Sequence, residues 1–161
     1  MSVKVFFGSS TGETESVANQ IAKAFGVDAV SVANASAADF DADLLILGSS
    51  TWGEGDLQDD WLDKNDALDS VDLSGKKVAV FGFGDQESFS GTYCNALGTL
   101  AEKAVSRGAT LVGQTSTDGY AYDDSTAVKD GQFVGLALDN MNQSDKTDAR
   151  VAAWIEVLKN A

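Results

Sequence analysis

The sequence predicts a single α/β domain, a three-layer doubly wound sandwich in which about five parallel strands carry helices on both faces. Three observations predict it. Short apolar runs alternate along the chain with amphipathic stretches at helical spacing, the order that builds strand, crossover helix, strand units. The runs are apolar throughout rather than at every second residue, as strands covered on both faces require. With 161 residues, 43% of them hydrophobic, the chain suffices for one domain with a core of its own.

The elements follow in order. Val3 to Phe7, Leu44 to Leu47 and Val78 to Phe81 read as the first, third and fourth strands, and Leu111-Val112 as part of the last. Val17, Ile21 and Phe25 mark one face of a crossover helix that Gly26 ends. Leu97, Leu100 or Ala101, and Val105 mark another, ended by Gly108. Val151, Trp154, Ile155 and Leu158 form the stripe of a C-terminal helix, with Thr147 as its cap and Asp148 in its first turn. One polar stretch, Gln114 to Gln132, breaks the rhythm and separates Thr110–Gly113 from Phe133–Leu138. Structureless loops of that length are uncommon in compact domains. Residues 114–132 are therefore expected to be an insertion that splits the last strand and carries pairing of its own, within one domain spanning 1–161.

Composition removes whole classes of function. With one cysteine, Cys94, the chain makes no internal disulfide and has no thiol cluster for zinc or iron–sulfur. It contains no histidine, which excludes His-based nucleophile triads, general bases and metal ligands, so no metal site is expected. Eleven basic against 25 acidic residues, net −14, repel phosphate backbones and anionic lipid, which argues against nucleic acid and membrane partners and favours a monomer. Met1 to Phe7 reaches Gly8 before a secretory-length apolar run forms, and nowhere do 18 apolar residues follow one another. The expected location is the cytoplasm.

In open α/β sheets ligands bind beyond the carboxyl ends of the strands, at the point where strand order reverses. The loops there are the unusual ones. After the first strand, Gly8-Ser9-Ser10-Thr11-Gly12-Glu13-Thr14 runs into a helix, and its amides and hydroxyls can wrap an anion. It lacks the P-loop lysine and the dinucleotide glycine spacing, so a terminal monoester phosphate fits best. A plain helix cap would account for one such hydroxyl, less well for seven small and polar residues in a row. After the third strand, Ser50-Thr51-Trp52-Gly53 sets a tryptophan among glycines and acids, outside every apolar stripe, where a flat ring suits stacking on a planar heterocycle. After the fourth, Gly84-Asp85-Gln86 is followed by aromatic rings at Phe89 and Tyr93, either of which could instead close the next helix against the sheet. Cys94 reads as a small helix-start residue with nothing basic beside it to activate the thiol.

Together these loops resemble the phosphate loop, 50s loop and 90s loop of the flavodoxins, FMN-binding electron carriers that are themselves the standard instance of the switch-point rule. The resemblance spans the chain. Its strongest pieces are Ser9-Ser10-Thr11-Gly12-Glu13-Thr14, Thr51-Trp52-Gly53, Gly84-Asp85-Gln86 and Phe133-Val134-Gly135-Leu136-Ala137-Leu138-Asp139, and the insertion implies the long-chain branch. The resemblance implies strand order 2-1-3-4-5 and FMN as cofactor. It places Ser9, Thr11 and Thr14, with the amides of Ser10, Gly12 and Glu13, on the phosphate. It places Trp52 on one face of the ring and Phe89 on the other, where the family usually has tyrosine, with Tyr93 as the alternative. Asp85 and Gln86 approach the pyrimidine edge mainly through backbone, and Ser50 and Gly84 belong to the same loops.

The implied role is a low-potential shuttle of single electrons between redox enzymes, with no catalytic residues of its own. Partners would be a reductase of the flavodoxin/ferredoxin type and acceptor enzymes with basic docking surfaces. A carbonyl of the Trp52-Gly53 turn could rotate to accept the N–H created at flavin N5, a flip that glycine makes cheap. No lysine or arginine in the three loops offsets the negative charge of full reduction, and eight acids between Glu54 and Asp72 face Lys64 alone. One acid ~10 Å away at an effective dielectric of ~20 opposes that charge by about 1.7 kcal/mol before screening. The same acids would steer basic partners, or serve solubility alone. An FMN-dependent NAD(P)H:quinone oxidoreductase stays open as the alternative. A response-regulator domain does not fit, because Gly8-Ser9 and Gly48-Ser49 stand where it needs acids.

Overall fold

The computed structural model describes residues 2–8, 12–52, 56–58, 61 and 68–161, with backbone alone at 52, 56 and 57. Its elements are β1 (Val3–Gly8), α1 (Glu13–Ala24), β2 (Ala29–Ser31), β3 (Leu44–Ser49), β4 (Thr51–Trp52), β5 (Asp56–Leu57), β6 (Lys77–Phe83), α2 (Asn95–Ser106), β7 (Thr110–Leu111), β8 (Thr115–Ser116), β9 (Val128–Lys129), β10 (Gln132–Phe133), β11 (Leu136–Leu138) and α3 (Ser144–Lys159). The main sheet is parallel and ordered β11–β6–β3–β1–β2, with β7 also on β6. β7 pairs with the start of β6 (Lys77↔Thr110) and β11 with its end (Leu136↔Phe81), so the two are halves of one position. The five positions thus run 2-1-3-4-5, the doubly wound order.

Strand alternation divides the core into two layers. Phe6, Leu45, Leu47, Val78 and Val80 point to one face and pack with Leu97, Leu100 and Ala104 of α2. Val5, Leu44, Ile46, Ala79 and Phe81 point to the other and pack with Ile21 of α1 and Trp154 of α3. β3 is buried at all six positions and sits mid-sheet, which is why its sequence is apolar without alternation. The close central packing also dictates Gly82, where a Cβ would lie 1.7 Å from the Ser49 carbonyl oxygen.

Three expectations shift. On α2 the buried stripe passes through Ala104, and Val105 is 51% exposed, because the helix rotates its small residues onto the sheet. α3 starts at Ser144, so Thr147 lies inside its first turn rather than capping it, with its hydroxyl donating to Asn140 Oδ1 at 2.5 Å. Phe133 belongs to β10, paired with Thr115 and Val128, and the last strand resumes only at Leu136. Between them Gly135 crosses so close to Val80 that a Cβ would meet its carbonyl at 1.9 Å.

Within 114–132 and its flanks, β8–β10–β9 form a separate three-stranded antiparallel sheet. It is fastened to the last strand position by Tyr120 Oη donating to Ala137 O (2.6 Å) and Thr115 Oγ1 donating to Gly135 O (2.6 Å). It also reaches the segment after β6: the amides of Asp123 and Asp124 donate to Ser90 O, Tyr93 N donates to Asp124 O, and Ser125 Oγ donates to Tyr93 O. No helix among the described residues is long and apolar enough to cross a membrane.

Candidate functional site

The carboxyl ends of β1, β3, β6 and β11 meet at one end of the sheet, and a cavity of about 340 Å3 opens there. Its wall includes Glu13, Ser50, Thr51, Phe83, Gly84, Asp85, Phe89, Thr92, Tyr93, Cys94 and Met141. Size and lining, mostly apolar with a few hydroxyls, suit a flat ring system. Gly84 keeps the floor low: a Cβ there would approach Cys94 Sγ at 2.9 Å and Tyr93 Cδ1 at 3.0 Å.

Ser9, Ser10, Thr11 and Gly53 lie outside the described residues. Gly12 is the N-cap of α1, at φ 90°, a left-handed conformation that glycine adopts without a Cβ penalty. The first amides of α1, from Glu13 onward, have no intrahelical acceptors and lie at the positive end of the helix dipole. Thr14 is fully buried, and its hydroxyl shares a 2.8 Å hydrogen bond with Ser50 Oγ that ties the start of α1 to the loop after β3. Thr51 Oγ1 accepts from Ala96 N at 3.1 Å, fixing the cavity edge to α2. Trp52 lies in β4, opposite Asp56 of β5.

The segment after β6 separates the two candidate rings. Phe89 is 47% exposed on the cavity wall. Tyr93 touches the cavity but is only 1% exposed, its ring stacked on Tyr122 (5.5 Å, 24°) and packed against Tyr120 and Phe133. Tyr93 is therefore core, and burial pushes its phenol far upward. Gln86 is tied into the frame of the cavity. Its amide donates to Asp139 Oδ2 at 3.0 Å, and its side chain donates to the same oxygen at 3.0 Å while accepting from Ala121 N at 2.5 Å, so its backbone donor is not free for a ring edge. Gly84 N is likewise taken, by Leu138 O at 2.9 Å. Asp85 accepts from Ser88 N (2.9 Å), Glu87 N (3.1 Å) and Asn142 Nδ2 (2.8 Å). Desolvation pushes its carboxyl upward, but the hydrogen bonds from Ser88, Asn142 and Glu87 outweigh it and hold the group below the usual carboxylate range. Cys94 caps α2 with its thiol buried, pushed up to about 12 by desolvation, which leaves it unreactive.

Sequence reasoning missed the fourth loop, after β11, which supplies Met141 (75% exposed) to the cavity and Asp139 and Asn142 to its frame. The signal was present: Asp139 follows a buried strand at the same end of the sheet.

The model of the family described as Flavodoxin matches residues 5–154. A flavodoxin from Nostoc sp. (strain PCC 7120 / SAG 25.82 / UTEX 2576) is 47% identical over 162 residues, covering 98% of this chain and 95% of its own. Flavodoxin 1 from Azotobacter vinelandii (strain DJ / ATCC BAA-1303) is 45% identical over 165 residues, covering 98% and 95%. The crystal structure of Fusobacterium nucleatum flavodoxin bound to flavin mononucleotide superposes with a TM-score of 0.94 at 30% identity, over 99% of this chain and 98% of that one. The family model spans most of the chain and the relatives match it nearly end to end, and on these the chain belongs to the flavodoxin family.

Proposed function

We propose that this chain is a cytoplasmic one-electron carrier that holds flavin mononucleotide non-covalently in the cavity between the loops after β3 and β6. The observation that carries the reading is that cavity: about 340 Å3, apolar-walled, at the strand-order reversal, with Phe89 half exposed beside it and the start of α1 at its mouth. When bound, the flavin supplies two one-electron couples. Phe89 covers one ring face and Trp52, on β4, the other. The amides at the start of α1, with Ser9 to Thr11, hold the phosphate, a neutral donor set suited to a monoester.

Charge sets the direction of the chemistry. Among the described residues lining the cavity Glu13 and Asp85 are acidic and none is basic. These carboxylates would oppose negative charge added to an occupant. Phe89 and Met141 stand exposed at the rim, where a partner with a basic surface would bring its own redox centre close.

An absorption spectrum of the purified chain tests the reading. The expected result is flavin bands near one equivalent and reduction in two separate one-electron steps. A protein that is colourless, and stays so after incubation with FMN, refutes it. Electron transfer to a basic partner is expected to slow as salt rises; rates indifferent to salt would leave the acids a solubility role only.

A further inference from the structure

We propose that Asp139 is a positioning residue for this cavity: its carboxylate clamps the loop after β6 onto the loop after β11 and so sets the gap between Phe89 and Met141. The proposal rests on reading the cavity as the flavin site. Asp139 is fully buried at the end of β11. Its Oδ2 accepts from Gln86 N (3.0 Å), Gln86 Nε2 (3.0 Å) and Asn142 Nδ2 (2.9 Å). Its Oδ1 accepts from Met141 N and Asn142 N, both at 3.0 Å. Neither ion pair among the described residues involves it. A buried carboxylate is costly unless its lone pairs are filled, and here five N–H groups fill them.

The origin of those donors gives the arrangement its meaning. All five come from two of the loops that border the cavity, those after β6 and β11, and none from a helix or strand of the core. One bond leads directly to the backbone of Met141. A second path runs through Asn142 Nδ2 to Asp85 Oδ1 (2.8 Å), and Asp85 O accepts from Phe89 N (3.0 Å). Gln86 extends the clamp a third way, since its Oε1 accepts from Ala121 N and so joins the insertion to it. The carboxylate, an acceptor at both oxygens, holds the walls that carry Phe89 and Met141 before any ligand arrives, and that pre-assembly lowers the ordering cost of binding. Asparagine cannot replace it, because its amide nitrogen would set a donor against the donors of the loops.

The test uses Asp139→Asn and Asn142→Ala in the full chain. FMN and riboflavin dissociation constants are measured by flavin fluorescence quenching, release rates by stopped flow, and the phosphate end by competition with inorganic phosphate. Asp139→Asn is expected to weaken FMN and riboflavin by the same factor, about 10- to 100-fold, mostly through faster release, with phosphate competition unchanged. Asn142→Ala, whose side chain is exposed, is expected to act in the same direction by about 3- to 10-fold. Should Asp139→Asn not fold, Asn142→Ala decides by the same criteria. Unchanged flavin binding, or phosphate weakening in step with flavin, overturns the clamp. An unaltered chain that binds neither flavin overturns the cavity reading itself.

Discussion

Phe89→Ala separates a ligand wall from a core residue. Phe89 is 47% exposed. A phenylalanine buries roughly 150–250 Å2 when fully covered, so about 70–120 Å2 of it remains for a bound ring to cover. At ~25 cal/mol per Å2 that contact is worth about 2–3 kcal/mol, and ring stacking adds about 0.5–1.5 kcal/mol. The sum, about 2.5–4.5 kcal/mol, predicts a roughly 60- to 1,600-fold weaker FMN complex. The free protein should hardly notice, within about 0.5 kcal/mol, because a half-exposed side chain carries little of the core. Tyr93→Ala is the control: truncating a ring that is 1% exposed should destabilise the fold by about 3–5 kcal/mol. Fluorescence titration with FMN reads the first effect and urea unfolding of the flavin-free chain reads both. A Phe89→Ala protein that binds FMN as tightly as the unaltered chain would refute the assignment of Phe89 to the ring face.

Three further outcomes are expected. Gly82→Ala drives a methyl to 1.7 Å from the Ser49 carbonyl at the centre of the sheet, where neither backbone can yield, and urea unfolding should show a loss of more than about 3 kcal/mol or no soluble protein. Trp154→Phe strips the Gly113 carbonyl of its 2.7 Å buried hydrogen bond and shrinks the ring, which should lower unfolding free energy by about 2–4 kcal/mol. Stability should fall at alkaline pH: desolvation raises Cys94 from 9.0 to about 12 and Tyr120 from 10.0 to about 12, so both are neutral in the fold while the unfolded chain ionises them first. Their contribution is whole below pH 9 and fades as pH climbs toward 12, by at most about 1.4 kcal/mol per pH unit for each group, and Cys94→Ala should flatten its share of the slope.

How much of this was visible along the chain depends on position in the sheet. β1, β3 and β6 stand out as unbroken apolar runs because mid-sheet strands are covered on both faces. β2, at the edge and only partly covered, leaves no such run in Ala29–Ser31. The two-residue strands of the insertion are too short for any period to register. The site shows the same division. Loops after β1, β3 and β6 announce themselves by glycine and hydroxyl content, and Phe89 and Tyr93 are both visible as candidates. That one stands half exposed on the cavity wall while the other is packed into the core turns on Tyr120, Tyr122 and Phe133, which arrive from the insertion and its flank.

Periodicity, composition and loop chemistry thus suffice for the layered α/β architecture, the end of the sheet that carries the site and the exclusion of histidine and thiol chemistry, since each is written in neighbouring residues. The Asp139 clamp, the burial of Tyr93 and the Thr14–Ser50 link are settled only when the chain closes. Each joins side chains that lie tens of residues apart, Gln86 and Asp139 by 53 positions. Their partners and their share of burial exist only once the β6 and β11 loops are packed side by side.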